Sequence, residues 1–373
     1  RGNLWHCFLA FCMANNENAY STSCEIIGPV GGSLSELARH DFAQVRELFS
    51  LDIARLDEAE NGIWSEMKHY ENALENSKAF NHRIRDRIVE LSVSLENAES
   101  DQEFQDIVTE FYKEFGVGKF GLNKAFHIIM DDEAKQVDIE PITRVEHIEL
   151  NDLVGYELQK AKLIENTEAF IEGRAANNCL LFGDSGTGKS SSIKAILNQY
   201  YDRGLRMIEV YKHQFRGLSD VLEQIKDRNY KFIIYMDDLS FEEFEIEYKY
   251  LKAVIEGGLE KKPDNVLIYA TSNRRHLIRE TFSDKEEVRE DMHTSDTVQE
   301  KLSLYARFGV SIYFGAPGKK EFQHIVVSLA EKNGITMDEE TLLAEANKWE
   351  LAHGGLSGRT AQQFMNYCLG GRE

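Results

Sequence analysis

The sequence is poor in the residues that break or staple a chain. Its 373 residues include only four prolines and 26 glycines, which leaves little room for disordered linkers. Five cysteines, Cys7, Cys12, Cys24, Cys179 and Cys368, form no CxxC pair. An odd number cannot all pair within the chain, and a reduced, cytoplasmic setting is the expectation that fits best. The apolar stretch 4–14 is too short to span a bilayer and reads as a buried or partner-facing helix, with no membrane expected. Arg1 in place of Met is read as a trimmed or reannotated start, and no targeting inference rests on it. The 11 histidines show no HExxH or Cys/His metal spacing, and no Gly-x-Ser-x-Gly elbow is present, which removes zinc-peptidase and serine-hydrolase chemistry.

Positive charge is also scarce. Lys+Arg number 43 against 64 Asp+Glu, a formal net charge of -21, and the first 150 residues hold 14 basic against 28 acidic side chains. Gripping a phosphate backbone relies on Lys and Arg, so nucleic acid is disfavoured as a partner of the acidic front; a solvated acidic surface is the simpler meaning. With 42% hydrophobic and 29% charged residues, the composition is that of a soluble globular protein, and the length predicts two or three domains.

Residues 1–115 read as a mostly helical, acidic domain. Leu34, Leu37, Ala38, Phe42, Val45, Leu48 and Phe49 recur three and four apart. So do Phe104, Ile107, Val108, Phe111, Tyr112 and Phe115, a run that stops at Gly116, the residue type that ends helices. Residues 116–150 read as a connecting segment. Its GVGKFG stretch lacks the GK[ST] ending of a phosphate loop and is taken as a plain turn, followed by a β-hairpin over 125–130 and 136–142. Over 151–317, strand-like runs at 179–182, 207–210, 232–236, 266–270 and 310–314 alternate with helical stretches, the pattern of a parallel sheet flanked by helices. Residues 318–373 turn wholly helical.

One motif dominates. Gly183, Asp184, Ser185, Gly186, Thr187, Gly188, Lys189 and Ser190 match GxxxxGK[ST] directly after an apolar strand. Glycines let such a loop curl so that backbone N–H groups and the next helix's N-terminus face phosphates; Lys189 would reach the β and γ oxygens and Ser190 would ligate magnesium. A chance match in a chain this long is on the order of one in a hundred, so ATP and Mg2+ are the expected ligands. The run ending in Asp237 and Asp238 reads as a Walker B strand, with Asp237 on the metal and Asp238 as general base toward water. A third apolar strand ends at Asn273, aimed at the same crevice and able to orient that water. Arg307 and Arg359 could each neutralise charge developing on the γ-phosphate. His276 reads as a loop residue, and Glu242, Glu243, Glu245 and Glu247 as a solvated helix face.

The order of these parts resembles the AAA+ superfamily, a P-loop NTPase fold of parallel sheet, flanking helices and helical lid. The stretch Asp152, Leu153, Val154, Gly155, Tyr156 is similar to the segment that lies against adenine in that superfamily, which implies nucleotide contacts from Val154 and Gly155. More closely, YKYLKAVIEGGLEKKPDNVLIYATSNRRHLIRE, DTVQEKLSLYARFGVSIYF and GLSGRTAQQF resemble a bacterial domain-of-unknown-function family of predicted AAA+ ATPases. The likeness covers roughly 104–373; residues before about 100 fall largely outside it. It implies sensor 1 at Asn273, an arginine finger for a neighbouring subunit at Arg307, and sensor 2 at Arg359. It further implies ATP/ADP binding, ATP hydrolysis, a homo-oligomeric ring such as a hexamer, and a protein client of unknown identity. The second Walker B acid is Asp238 where the superfamily has Glu, and this shorter side chain implies slow hydrolysis. Two functional classes follow, a remodelling ATPase and a slow-turnover switch that recruits a partner as helicase loaders do; a small-molecule P-loop kinase is disfavoured by the Asn273 strand and the Arg-bearing lid.

Overall fold

The computed structural model describes residues 2–57, 62–70, 82–131, 136–241, 246–256, 262–273 and 306–370. His276 and three of the four acids in the run at 242–247, Glu242, Glu243 and Glu245, lie outside the described residues. By contact the chain divides into one unit of residues 1–124 with 140–143 and 227–229, and a second of 125–139, 144–226 and 230–373.

The first unit is helical among its described residues: Leu4–Asn15, Ala19–Ile27, Gly32–Phe49, Ile63–Lys68, His82–Glu96, Asp101–Phe115 and Gly118–Leu122. The helix Asp101–Phe115 shows why the sequence folds so. Ser100 caps it, its side chain accepting the Glu103 N–H, and Gly116 ends it at φ +76°. Its apolar stripe buries Phe104 completely, against Phe49 and Phe42 at ring-centroid distances of 5.6 and 6.3 Å. The GVGKFG stretch is not the plain turn its glycines suggest. Gly118–Leu122 is a short helix in which Gly121 lies so close to the Gly116 backbone that a Cβ there would sit 2.8 Å from its carbonyl carbon; close approach, which a local turn signal does not reveal, decides this segment.

The second unit is built on a seven-stranded sheet. Its strands are β1 (Ala125–Asp131), β2 (Gln136–Pro141), β3 (Cys179–Gly183), β4 (Leu205–Glu209), β5 (Lys231–Met236), β6 (Val266–Ser272) and β7 (Val310–Phe314), in the order β2-β1-β4-β5-β6-β3-β7. All pairings from β1 across to β7 are parallel. The short link 132–135 cannot carry a parallel crossover, so β2 makes the sheet mixed. Strands β1 and β2 form the hairpin expected from sequence, and it lies at the edge of the sheet. The pairing of Ala125, Phe126 and His127 with Met207, Ile208 and Glu209 makes them members of the sheet.

Strands β3 and β6 are buried along their whole length and β5 nearly so, which is why each reads as an unbroken apolar run rather than an alternating one. The last described helices, Lys319–Lys332, Glu339–Ala352 and Gly358–Gly370, share a separate core around Phe322, Val326, Phe364 and Met365. We refer to them as the lid.

Strand β3 ends at a position only glycine can fill. Gly183 has φ +133°, and a Cβ there would lie 2.1 Å from the Phe314 carbonyl oxygen of β7. Gly183→Ala should therefore part β3 from β7 and cost roughly 1–3 kcal/mol, visible as a lower melting temperature in thermal unfolding; an unchanged melt would refute this account of the strand pair.

Candidate nucleotide-binding site

The carboxyl ends of β3, β5 and β6 lie side by side, where parallel α/β sheets hold their ligands. The chain leaving β3 turns through Gly186 (φ +75°) and Gly188 (φ +90°) into the helix Lys189–Tyr200. That helix begins inside the loop, so its free N–H groups face the same hollow. Lys189 is buried, with its Nζ donating to the carbonyls of Gly183 at 3.0 Å and Asp184 at 2.6 Å. Burial lowers its pKa, against the raising influence of Asp184, Asp238 and Asp237.

Asp237 is the junction. Its Oδ1 accepts from Ser190 Oγ at 2.7 Å and from Thr271 Oγ1 at 2.5 Å. Burial pushes this carboxyl up, but the groups around it, Thr271 and Ser190 first, then Tyr235 and the Asp238 N–H, more than offset it, and the net shift is downward. Asp238 follows in the left-handed region at φ +49°, a backbone state uncommon outside glycine. The turn is held there because the Asp238 N–H donates to Thr271 Oγ1 at 2.9 Å and the Leu239 N–H to the Thr271 carbonyl at 2.7 Å. Asn273 Nδ2 then donates to Asp238 Oδ1 at 2.7 Å. A hydroxyl and a carboxylate placed together are the hard oxygen donors that suit Mg2+, so the residues present fit that ion.

The lid closes the other side. The Arg359 N–H donates to the Gly186 carbonyl at 3.2 Å, and its guanidinium reaches Ser185 Oγ at 3.4 Å. On the far side of the loop, the Ala316 N–H donates to Asp184 Oδ2 at 2.7 Å and the Asp184 N–H to the Phe314 carbonyl at 2.9 Å.

Together these surround a cavity of about 950 Å³, within the range of small-molecule sites. Its lining includes the polar loop residues Ser185 to Ser190 with Asp237, Asp238, Asn273 and Arg359, and the apolar side chains Ile148, Leu153, Val154, Ile325 and Leu329, with Asp152 and Lys332 beside them. Val154 packs on the lid core. Lys160 Nζ donates to the Leu153 carbonyl at 2.8 Å, and Asp152 pairs with Lys332 of the lid. Gly155 (φ +83°), Gly183 and Asp184 are not among the residues that line the cavity. Tyr156 donates to the Gly315 carbonyl at 2.8 Å, and burial pushes its hydroxyl up to about 12.

Of the residues expected from sequence, Gly155, Gly183, Asp184 and Arg307 do not line the cavity, and Arg307 pairs with Glu256 instead. Thr271 is the residue that sequence reasoning passes over, although it stands two positions before Asn273 on a strand and so shares its face. Among the described residues no cluster of His, Cys, Asp and Glu forms a further metal site, no disulfide is present, and no helix is long and apolar enough to cross a membrane.

The phosphate loop after β3, the paired acids after β5 and the intrusion of β6 between these two strands of a mainly parallel sheet assign the fold to the P-loop NTPases. The particular family follows from sequence comparison: residues 123–372 match the family described as protein of unknown function (DUF815), and the chain belongs to it. Comparison with curated proteins finds no match. Among solved structures the chain is similar to the Thermotoga maritima RuvB Holliday junction branch migration motor, at 13% identity and a TM-score of 0.35, over 60% of this chain and 72% of that one. Two mutants of RuvB from the same organism are similar at 13% and 12% identity, each with a TM-score of 0.36 over 60% of this chain and 73% of the other. No assignment below rests on so distant a likeness.

Thr271→Val keeps the volume and removes one donor and one acceptor, and should cost about 1 kcal/mol at pH 7 in the ligand-free protein. The depressed Asp237 carboxyl contributes stability above its unfolded pKa, lost as pH falls through the lower folded value. Since Thr271 helps depress it, the gap between wild type and variant should narrow below about pH 4. Thermal unfolding across pH 3–7 checks this, and a gap that widens on acidification would contradict it.

Proposed function

We propose that this chain binds ATP with magnesium in the cavity and hydrolyses it, as a AAA+ ATPase that couples turnover to the remodelling of a protein client. The observation that carries the reading is the Ser190–Asp237 bond beside an Asp238 held by Asn273: a metal-binding pair next to a carboxylate aimed at the same hollow. Magnesium, when bound by Ser190 and Asp237, would neutralise charge on the phosphate oxygens. Lys189 exchanges its two carbonyl partners for phosphate oxygens. Asp238 accepts the proton of the attacking water, with Asn273 fixing the carboxylate's orientation. Arg359, in the same chain, offers positive charge from the lid. Val154 and the other apolar side chains of the lining take the base.

Arg307 serves the site of a neighbouring copy in a homo-oligomeric ring such as a hexamer, and must give up its Glu256 partner to do so. The acidic helical unit engages the client, in a cytoplasmic setting. A second reading, a slow-turnover switch that recruits a partner, is favoured by two observations: Asp238 carries the short carboxylate, and one of its oxygens is already engaged by Asn273.

Lys189→Ala should abolish ATP binding in equilibrium titration, whereas Asp238→Asn should bind ATP and retain it. In the ring reading, specific ATPase activity rises with protein concentration and Arg307→Ala loses turnover while keeping affinity. Normal turnover in that variant would sink the intersubunit role of Arg307. A single-turnover rate far below the usual range of about 1–10³ s⁻¹, with ATP-dependent partner capture, would select the switch.

A further inference from the structure

One polar group beside the metal-binding pair makes no hydrogen bond of ordinary geometry. Tyr235 stands two residues before Asp237, so the two side chains leave the β5 line on the same face. The residue is 3% exposed, and its hydroxyl oxygen is buried without a hydrogen-bond partner. That hydroxyl is close enough to Ser190 and Asp237 to interact with both. Its cross-strand neighbour, Glu209 of β4, accepts instead from the Tyr211 hydroxyl at 3.1 Å.

Buried polar groups in native proteins are almost always satisfied. A phenylalanine here would fill the same space without an orphan oxygen, and the strand's other buried positions are indeed apolar, Phe232, Ile233, Ile234 and Met236. The hydroxyl therefore has a partner that arrives with the ligand. Ser190 and Asp237 both engage through single oxygens, and the Ser190 and Thr271 bonds converge on Asp237 Oδ1, leaving Oδ2 to take another donor. Mg2+ held by so few protein groups keeps several of its waters, and those waters need acceptors around them.

We infer that Tyr235 is a positioning residue for the metal: its hydroxyl donates to Asp237 Oδ2 and accepts from a water of the hydrated ion. This rests on the reading of the cavity as an ATP and magnesium site. It adds to the paired acids a third side chain on the same strand that orients a ligand's surroundings without touching the nucleotide, the kind of outer partner whose loss commonly weakens metal affinity 10–100-fold.

The test uses the full chain with ATP and Mn2+, followed by electron paramagnetic resonance. Tyr235→Phe should weaken Mn2+ binding to the ATP-loaded protein about tenfold, while ATP affinity measured with chelator present stays at the wild-type value. Unchanged Mn2+ affinity overturns the inference, and so does an equal loss of metal-free ATP affinity, which would mark a purely structural role. Wild-type protein that binds neither ATP nor its Mn2+ complex overturns the ATP reading as well, so the two failures are distinguishable. A second measurement does not depend on the variant's folding. With 3-fluorotyrosine placed at position 235, adding Mg2+ to the ATP-loaded protein should move the fluorine resonance; a resonance that Mg2+ leaves unmoved overturns the inference.

Discussion

The shared acceptor at Asp237 Oδ1 is the interaction on which the site depends. Ser190 reaches it from the helix after β3, and Thr271 reaches it from β6. One carboxylate oxygen thereby fixes the relative positions of three strand ends that are distant in sequence. The arrangement also holds the Asp237 carboxyl below its ordinary range, since the hydrogen-bonding groups around it, Thr271 and Ser190 first among them, more than offset the raising effect of burial. The same threonine holds the strained turn at Asp238. Loss of this junction would leave the loop, the acids and Asn273 each intact but unregistered. The parallel register that places them, Phe182 beside Ser272 and Tyr235 beside Tyr269, brings the strand ends near one another, and the hydroxyl bonds settle the last ångström.

The phosphate loop is constrained from both flanks. Gly183 is pressed against the Phe314 backbone, and Gly186 meets Arg359 and Ser357 so closely that a Cβ would lie 3.0 Å from each side chain. Glycine is thus required at these two positions for reasons of space as well as of backbone angle. The cavity's mixed lining follows from the elements that form it: strand termini and a helix start bring polar groups, and the lid and 148–154 add apolar side chains.

Much of this was legible in the sequence, because buried parallel strands leave continuous apolar runs and because a phosphate loop needs particular residues at fixed spacing. The acids at Asp237 and Asp238, Asn273 and Arg359 are legible for the same reason: each directly follows a strand or opens a helix. Features that depend on long-range contact are not. The strand pair at 125–141 looks like a connector until its hydrogen bonds to β4 are seen. The helix Gly118–Leu122 hides among glycines that signal a turn. Thr271 and Tyr235 carry ordinary strand residue types, and nothing local distinguishes a hydroxyl that will meet Asp237 from one that packs in a core. The Glu256 partner of Arg307 is likewise a product of the fold.

The bonds on the far side of the loop have a mechanical meaning. Asp184 is tied by its N–H to Phe314 and by its carboxylate to Ala316, and the first lid helix starts at Lys319. Asp184, at the start of the loop, is thus tied to the short link that leads into the lid. Were a triphosphate to occupy the loop as proposed, any displacement of Asp184 would reach that link within a few residues of the lid.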